Sequence, residues 1–294
     1  MARAYIFLAK QGKKFYNMGS NLLEAYSMYL ADCHNHTCCS HDSDAPLDLM
    51  LEQAARMGLS LVCTTDHMDL MDRQGKILPD WDWAPILEQH EQGLAACPRG
   101  VELRLGTELN MAHLLPERHR RLLEQASLDL VIGSAHNMSA DLGGLDFLLW
   151  DYTDEDLCYK ALDDYFVSLL ALSRTDFIDI LGHIPYVFRY MNDRDGNRVT
   201  LEPYRDRLEV ILSNLIHRGA GIEVNTNRGK SLADYRFLLE EYRRLGGEII
   251  TMGTDAHTPA DLGKGVAEGV QMLQEMGFRY YTVYRRRKPE FIPL

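Results

Sequence analysis

Seven short runs of apolar and β-branched residues are spaced along this chain, and each runs out into a side chain able to bind a metal ion. The runs are Met28–Cys33, Ser60–Thr65, Val101–Thr107, Leu128–Ser134, Phe177–Gly182, Ala220–Asn225 and Glu248–Thr254, with a weaker eighth at Tyr280–Tyr284. Segments of helical character lie between them: Leu47–Met57, Trp83–Ala96, Glu117–Ser127, Asp154–Ser173, Leu201–Arg218, Leu232–Leu245 and Pro259–Met276. Pro46, Pro116, Pro203 and Pro259 stand where helices begin, and Gly58 and Gly246 where they end. Strand alternating with helix means parallel strands joined by crossovers. Continuous apolar stretches such as Leu130–Ile132 fit a sheet covered on both faces.

The exits decide between an open sheet and a closed one. His34 and His36 follow the first strand, Asp66 and His67 the second, Glu108 the third, His136 the fourth and His183 the fifth. Glu223 and Asn225 end the sixth, and Asp255 and His257 follow the seventh. An open doubly wound sheet gathers only the exits beside its switch point, whereas a barrel opens all of them on one face. The expected fold is therefore an α/β barrel, one domain over 28–294 ending in a tail, with residues 1–27 as an N-terminal extension.

The first exit loop, Ala31–Asp44, reads ADCHNHTCCSHDSD and adds His41 to the count. Six histidines at the exits, His41, Glu108 and Asp255 make nine candidate ligands. One ion takes about four to six ligands, so two or three ions are implied, with Glu108 as the bridging carboxylate. Paired ions clamp the attacking and leaving oxygens of a phosphate ester, and they lower the pKa of bound water so that a hydroxide nucleophile forms near neutrality. Imidazole and carboxylate suit zinc, manganese and iron alike.

The formal charge of −12, with no long basic stripe, argues against nucleic acid as a partner. Small anions remain compatible, because clustered cations reverse the potential inside a pocket. No C-x-x-C pair, leader or membrane-spanning stretch is visible, so reduced thiols and a cytoplasmic location are expected, with no membrane partner.

These residues resemble the PHP (polymerase and histidinol phosphatase) superfamily. Its motifs D-x-H-x-H-T-x-x-S, T-D-H, G-x-E, S-x-H, G-H and D-x-H are matched in order by ADCHNHTCCSHD, TTDH, GTEL, GSAH, LGHI and GTDAH, from Asp32 to His257. The resemblance implies a distorted (β/α)7 TIM-like barrel and a trinuclear centre. In it His34, His36, Glu108 and Asp255 hold the first ion, Glu108, His136 and His183 the second, and His41, His67 and His257 the third. His34, Glu108, Asp255 and His257 form its catalytic set. VIGSAHN and IDILGHIPYVFRY look most like the histidinol-phosphatase branch, in which Arg189 and Arg228 would meet substrate phosphate, although EVNTNRGK shortens the usual spacing to Arg228.

The implied activity is hydrolysis of L-histidinol phosphate, a small phosphorylated substrate of histidine synthesis. The alternatives are a phosphoesterase of nucleotides or oligonucleotide 5′ ends, and a non-catalytic metal-stabilised domain serving a partner protein. Asp66, next to His67, is expected to orient an imidazole rather than to ligate; Asp32, Glu223 and Asn225 either serve likewise or, as the preferred reading, tie loops together. Cys38 and Cys39 are expected to pack, Trp81 and Trp83 to wall the pocket or pack a helix, and the basic Arg285–Pro289 segment to be a solvated tail.

Overall fold

The computed structural model describes residues 28–79 and 81–294; the expected 1–27 extension lies outside the described residues. Its strands are β1 (Ala31–Asp32), β2 (Leu61–Thr64), β3 (His67–Met68), β4 (Glu102–Asn110), β5 (Leu130–Ser134), β6 (Ile180–Leu181), β7 (Gly221–Asn225) and β8 (Ile250–Gly253). Helices α1 (Leu47–Met57), α2 (Ala84–Ala96), α3 (Pro116–Leu123), α4 (Glu155–Ser173), α5 (Arg205–His217), α6 (Tyr235–Arg244) and α7 (Val266–Glu275) connect them. All pairings among these strands are parallel.

Seven positions make up the ring, because β2 and β3 are one line of chain interrupted at Thr65 and Asp66. Thr64 faces Leu105 and His67 faces Glu108 on β4, so the register is kept across the break. The ring closes between β8 and β1. Cys33 N donates to Met252 O at 2.8 Å, Thr254 N to His34 O at 3.2 Å and His36 N to Ala256 O at 2.8 Å. The buried Asp32 carboxylate fastens this seam by accepting from Thr254 N, Thr254 Oγ1 and Gly263 N. The parallel (β/α)7 barrel expected from the exits is therefore the observed architecture.

Most of the helices bury a stripe of side chains, whereas α3 buries only His119. In α1 the stripe is Leu47, Met50, Leu51 and Ala54, and Gly58 ends the helix at φ 70°, a left-handed conformation that costs glycine little. Asp154 caps α4 by accepting from Leu157 N at 2.9 Å. The last crossover differs from the expected Pro259–Met276 helix: α7 begins only at Val266. Gly265 sits at φ 78°, and a Cβ there would stand 2.7 Å from the Gly229 backbone, so the chain breaks where two loops touch.

The end of the chain corrects the expected tail. β9 (Tyr280–Arg285) and β10 (Lys288–Pro293) form an antiparallel hairpin that turns through Arg286 and Arg287, both in left-handed backbone. It covers the strand-start end of the barrel. Arg104 Nη1 donates to Tyr284 O at 2.6 Å, Tyr281 Oη to Tyr29 O at 2.8 Å, and Arg287 pairs with Asp179. The basic cluster is a set of ion-paired struts closing that end, which leaves the opposite, strand-exit end as the place for chemistry.

Candidate metal centre

His34, at the exit of β1, is fully buried and donates through Nδ1 to Glu223 Oε1 at 2.7 Å. That bond fixes the tautomer and turns the lone pair of Nε2 into the barrel mouth, 3.4 Å from Glu108 Oε2 and 3.7 Å from Asp255 Oδ1. His36 is set the same way. Its Nδ1 meets Ser40 Oγ at 3.2 Å, and its Nε2 lies 3.3 Å from Asp255 Oδ1 and 3.6 Å from Glu108 Oε2.

Glu108 stands at the centre, with its two oxygens facing different partners. Oε1 lies 2.8 Å from His183 Nε2 and 3.3 Å from His136 Nε2, while Oε2 lies 3.0 Å from His67 Nδ1. Such a carboxylate can bridge two ions. Burial alone would raise its pKa, but the imidazoles of His34 and His136, when they carry a proton in place of an ion, outweigh burial and hold it well below the usual carboxylate range. Asp255 is likewise held low against burial, chiefly by Arg189, whose Nη1 reaches Asp255 Oδ2 at 2.5 Å. Asp255 has φ 56°, a strained conformation for a residue with a side chain, which places its other oxygen toward His34 and His36.

The donor atoms fit metal ions. Among the described residues, His34 Nε2, His36 Nε2, His67 Nδ1, Glu108 Oε2 and Asp42 Oδ1 are buried without hydrogen-bond partners, a costly state for so many polar atoms in one place. Ligands about 2.1 Å from one ion at tetrahedral angles stand about 3.4 Å apart, close to the spacings just given. Four mutually close groups result: His34–His36–Asp255, His34–Glu108–His183, His67–Glu108–His136 and His36–His67–His257.

Eight of the nine expected ligands thus converge, and His41 stands apart from all four groups with its side chain about half exposed. Its neighbour turns inward instead. Asp42 Oδ1 lies 3.5 Å from His67 Nε2 and 3.4 Å from His257 Nε2, and those two imidazoles hold the carboxyl far below its ordinary range despite burial. In a turn, consecutive side chains leave in different directions, so sequence alone did not tell which of the pair points inward. The sequence signal was the H-D dipeptide itself, either member of which can ligate.

Asp66 joins none of the ligand groups and supports an imidazole, though through an intermediary. It accepts from Thr37 N, Thr37 Oγ1 and Ser40 Oγ at 2.7–2.8 Å, so its influence passes through Ser40 to His36 and not to the His67 ring. Glu223, for which loop-tying was the preferred expectation and ring orientation the alternative, is the carboxylate behind His34. A fully buried glutamate in the middle of the apolar GIEVN strand was the readable sign of that role.

A cavity of about 1050 Å³ opens over these groups. Its wall includes Trp81, whose indole donates to His67 O at 3.2 Å, together with Tyr186, Tyr190, Arg189 and Arg228; Trp83 packs away, donating to Leu122 O. Arg228 Nε is buried without a partner among the described residues. Cys38 and Cys39 border the cavity but join none of the ligand groups, and none of the six cysteines is disulfide-bonded.

The PHP domain family model matches residues 32–227, two thirds of the chain, and spans most of this machinery. The chain is a member of the PHP domain family. Among curated relatives, a probable histidinol-phosphatase of Clostridium acetobutylicum is 26% identical over 84% of this chain and 94% of its own. The histidinol-phosphatase of Lactococcus lactis subsp. lactis is 24% identical over 87% and 95%. A crystal structure of the L. lactis histidinol phosphate phosphatase, complexed with zinc, L-histidinol and phosphate, superposes with a TM-score of 0.77 at 23% identity. That match covers 90% of this chain and 100% of the other, so the two share one fold. No helix among the described residues is long and apolar enough to cross a membrane.

Proposed function

We propose that this PHP-domain protein is a metal-dependent phosphomonoesterase that hydrolyses L-histidinol phosphate to L-histidinol and phosphate. The observation that carries the reading is the convergence of unpartnered imidazole nitrogens and carboxylate oxygens on one cavity that two arginines also face. The names of the curated relatives, which align with this chain over nearly their whole length, point to the same substrate.

His34, His36 and Asp255 would hold one ion, Glu108, His136 and His183 a second, and Asp42, His67 and His257 a third, with Glu108 shared. Zinc, manganese or iron bound there supplies a water of lowered pKa and neutralises phosphate charge. Arg189 is fixed by Asp255 and Asn225 through two of its donors, which leaves the rest of its planar fork for phosphoryl oxygens. Arg228 brings a second guanidinium to the same wall. Glu223 and Ser40 keep the His34 and His36 rings in one tautomer, so both present Nε2 without rearrangement. Trp81, Tyr186 and Tyr190 give the wall an apolar, aromatic surface on which an organic leaving group can rest.

A panel of L-histidinol phosphate, p-nitrophenyl phosphate, nucleoside 5′-monophosphates and 5′-phosphorylated oligonucleotides tests the reading on the metal-loaded chain. The expected result is a kcat/KM for histidinol phosphate at least about tenfold above the others, abolished by a chelator and restored by metal. A preference for nucleotides or oligonucleotides would move the activity to that substrate class, and no release of phosphate from any would end the reading.

A further inference from the structure

Asn225, the last residue of β7, joins the arginine side of the cavity to its histidine side. It is fully buried. Its Nδ2 donates to Glu223 Oε1 at 3.1 Å, the same oxygen that accepts from His34 Nδ1, and its Oδ1 accepts from Arg189 Nη2 at 2.8 Å. That oxygen also accepts from Asn227 N at 2.9 Å, where Asn227 and Arg228 begin a left-handed turn at φ 44° and 59°. Non-glycine residues hold such a conformation only when their surroundings impose it. One amide therefore braces the ligand His34, the guanidinium of Arg189 and the turn that presents Arg228.

We propose that Asn225 is a positioning residue that serves phosphate recognition through Arg189 and metal retention through Glu223. The chemistry requires a side chain that both donates and accepts, as an amide does. Glu223 can only accept and Arg189 can only donate, so the side chain between them must donate on one side and accept on the other. A carboxylate there would still accept from Arg189 but would set a negative oxygen against Glu223. An alkyl group would release both. The inference rests on the phosphatase reading for the identity of the anion, and its mechanical content lies in the hydrogen bonds.

The test uses the metal-loaded chain with inorganic phosphate as probe, reading its dissociation constant by calorimetry and metal retention against a chelator. Asn225→Ala is expected to weaken phosphate binding roughly tenfold, the effect of one lost hydrogen bond to a charged group, and to speed metal loss. Asn225→Asp, nearly the same size, is expected to keep phosphate binding within about threefold while still losing metal faster, because only the link to Glu223 is reversed. In an Arg189→Met background the Asn225→Ala effect on phosphate should vanish. A merely structural asparagine would weaken both variants alike and add to the arginine substitution, which would overturn the proposal, as would parental values in both variants. If Asn225→Ala does not fold, the comparison of Asn225→Asp with the parent decides on metal retention. A parent that binds no phosphate at all would sink the proposed function, whereas binding in the parent with no change in the variants sinks this inference alone.

Discussion

The barrel seam offers a prediction whose size can be worked from the structure. Asp32 is fully buried and accepts four hydrogen bonds: at Oδ1 from His34 N (3.3 Å) and Thr254 N (3.1 Å), and at Oδ2 from Thr254 Oγ1 (2.5 Å) and Gly263 N (3.0 Å). Asp32→Asn keeps the shape but exchanges one acceptor for a donor. With its amide nitrogen on the Oδ2 side, the Thr254 hydroxyl can rotate to accept, but Gly263 N–H is stranded. The opposite flip strands both His34 N–H and Thr254 N–H. A stranded buried donor costs about 1–3 kcal/mol and loss of a charge-assisted bond about 1.5–3 kcal/mol. Burial already disfavours the charged carboxylate and raises its pKa, so removing the charge returns part of this. A net loss of about 3 kcal/mol follows, or a fall in Tm of about 5 °C for a chain of this size. Thermal unfolding of the metal-free Asp32→Asn chain measures it. Because the seam sets the backbone of His34 and Asp255, metal should also be held more weakly. A Tm within about 2 °C of the parent, with unchanged metal retention, would refute the claim that this carboxylate fastens β1 to β8.

Two more predictions concern other regions. Asp42→Asn should lose metal and activity by about 10–100-fold or more, while His41→Gln should stay within about threefold of the parent; the reverse order would restore His41 to the ligand set. Burial pushes the His113 and His119 imidazoles down to about 4, below the unfolded value near 6.5, so the stability they contribute is complete above pH 6.5 and is lost as pH falls toward 4. Each shift is worth about 3 kcal/mol at most, and urea unfolding of His119→Phe should therefore lose less stability than the parent between pH 7 and pH 4.5. Parallel losses in the two would count against it.

The barrel was legible in the sequence because its logic is one-dimensional. Each strand must end where a ligand begins, and the order of His34, His67, Glu108, His136, His183 and Asp255 along the chain is the order around the ring. Period and spacing do not report on turns. His41 and Asp42 are adjacent, and only the path of the loop through Ser40, tied by Asp66, sends the carboxylate inward. Charge runs are equally ambiguous. Arg285–Pro289 reads as a solvated tail, yet buried Arg104 and the carboxylates Glu102, Asp179 and Glu290 bind that hairpin to the barrel end. The sequence leaves the partners of Glu223 and Asn225 undecided for a different reason: alternation on a strand says which residues face inward, not which of them touch.

The metal content of the purified chain, measured by plasma mass spectrometry beside Glu108→Gln, is the most direct test of the converging exits. Two or three divalent ions per parent chain, falling to about one or none when the shared carboxylate becomes an amide, is the expected result. A parent that carries no more metal than Glu108→Gln would contradict the claim that these exits converge to build a cation cage.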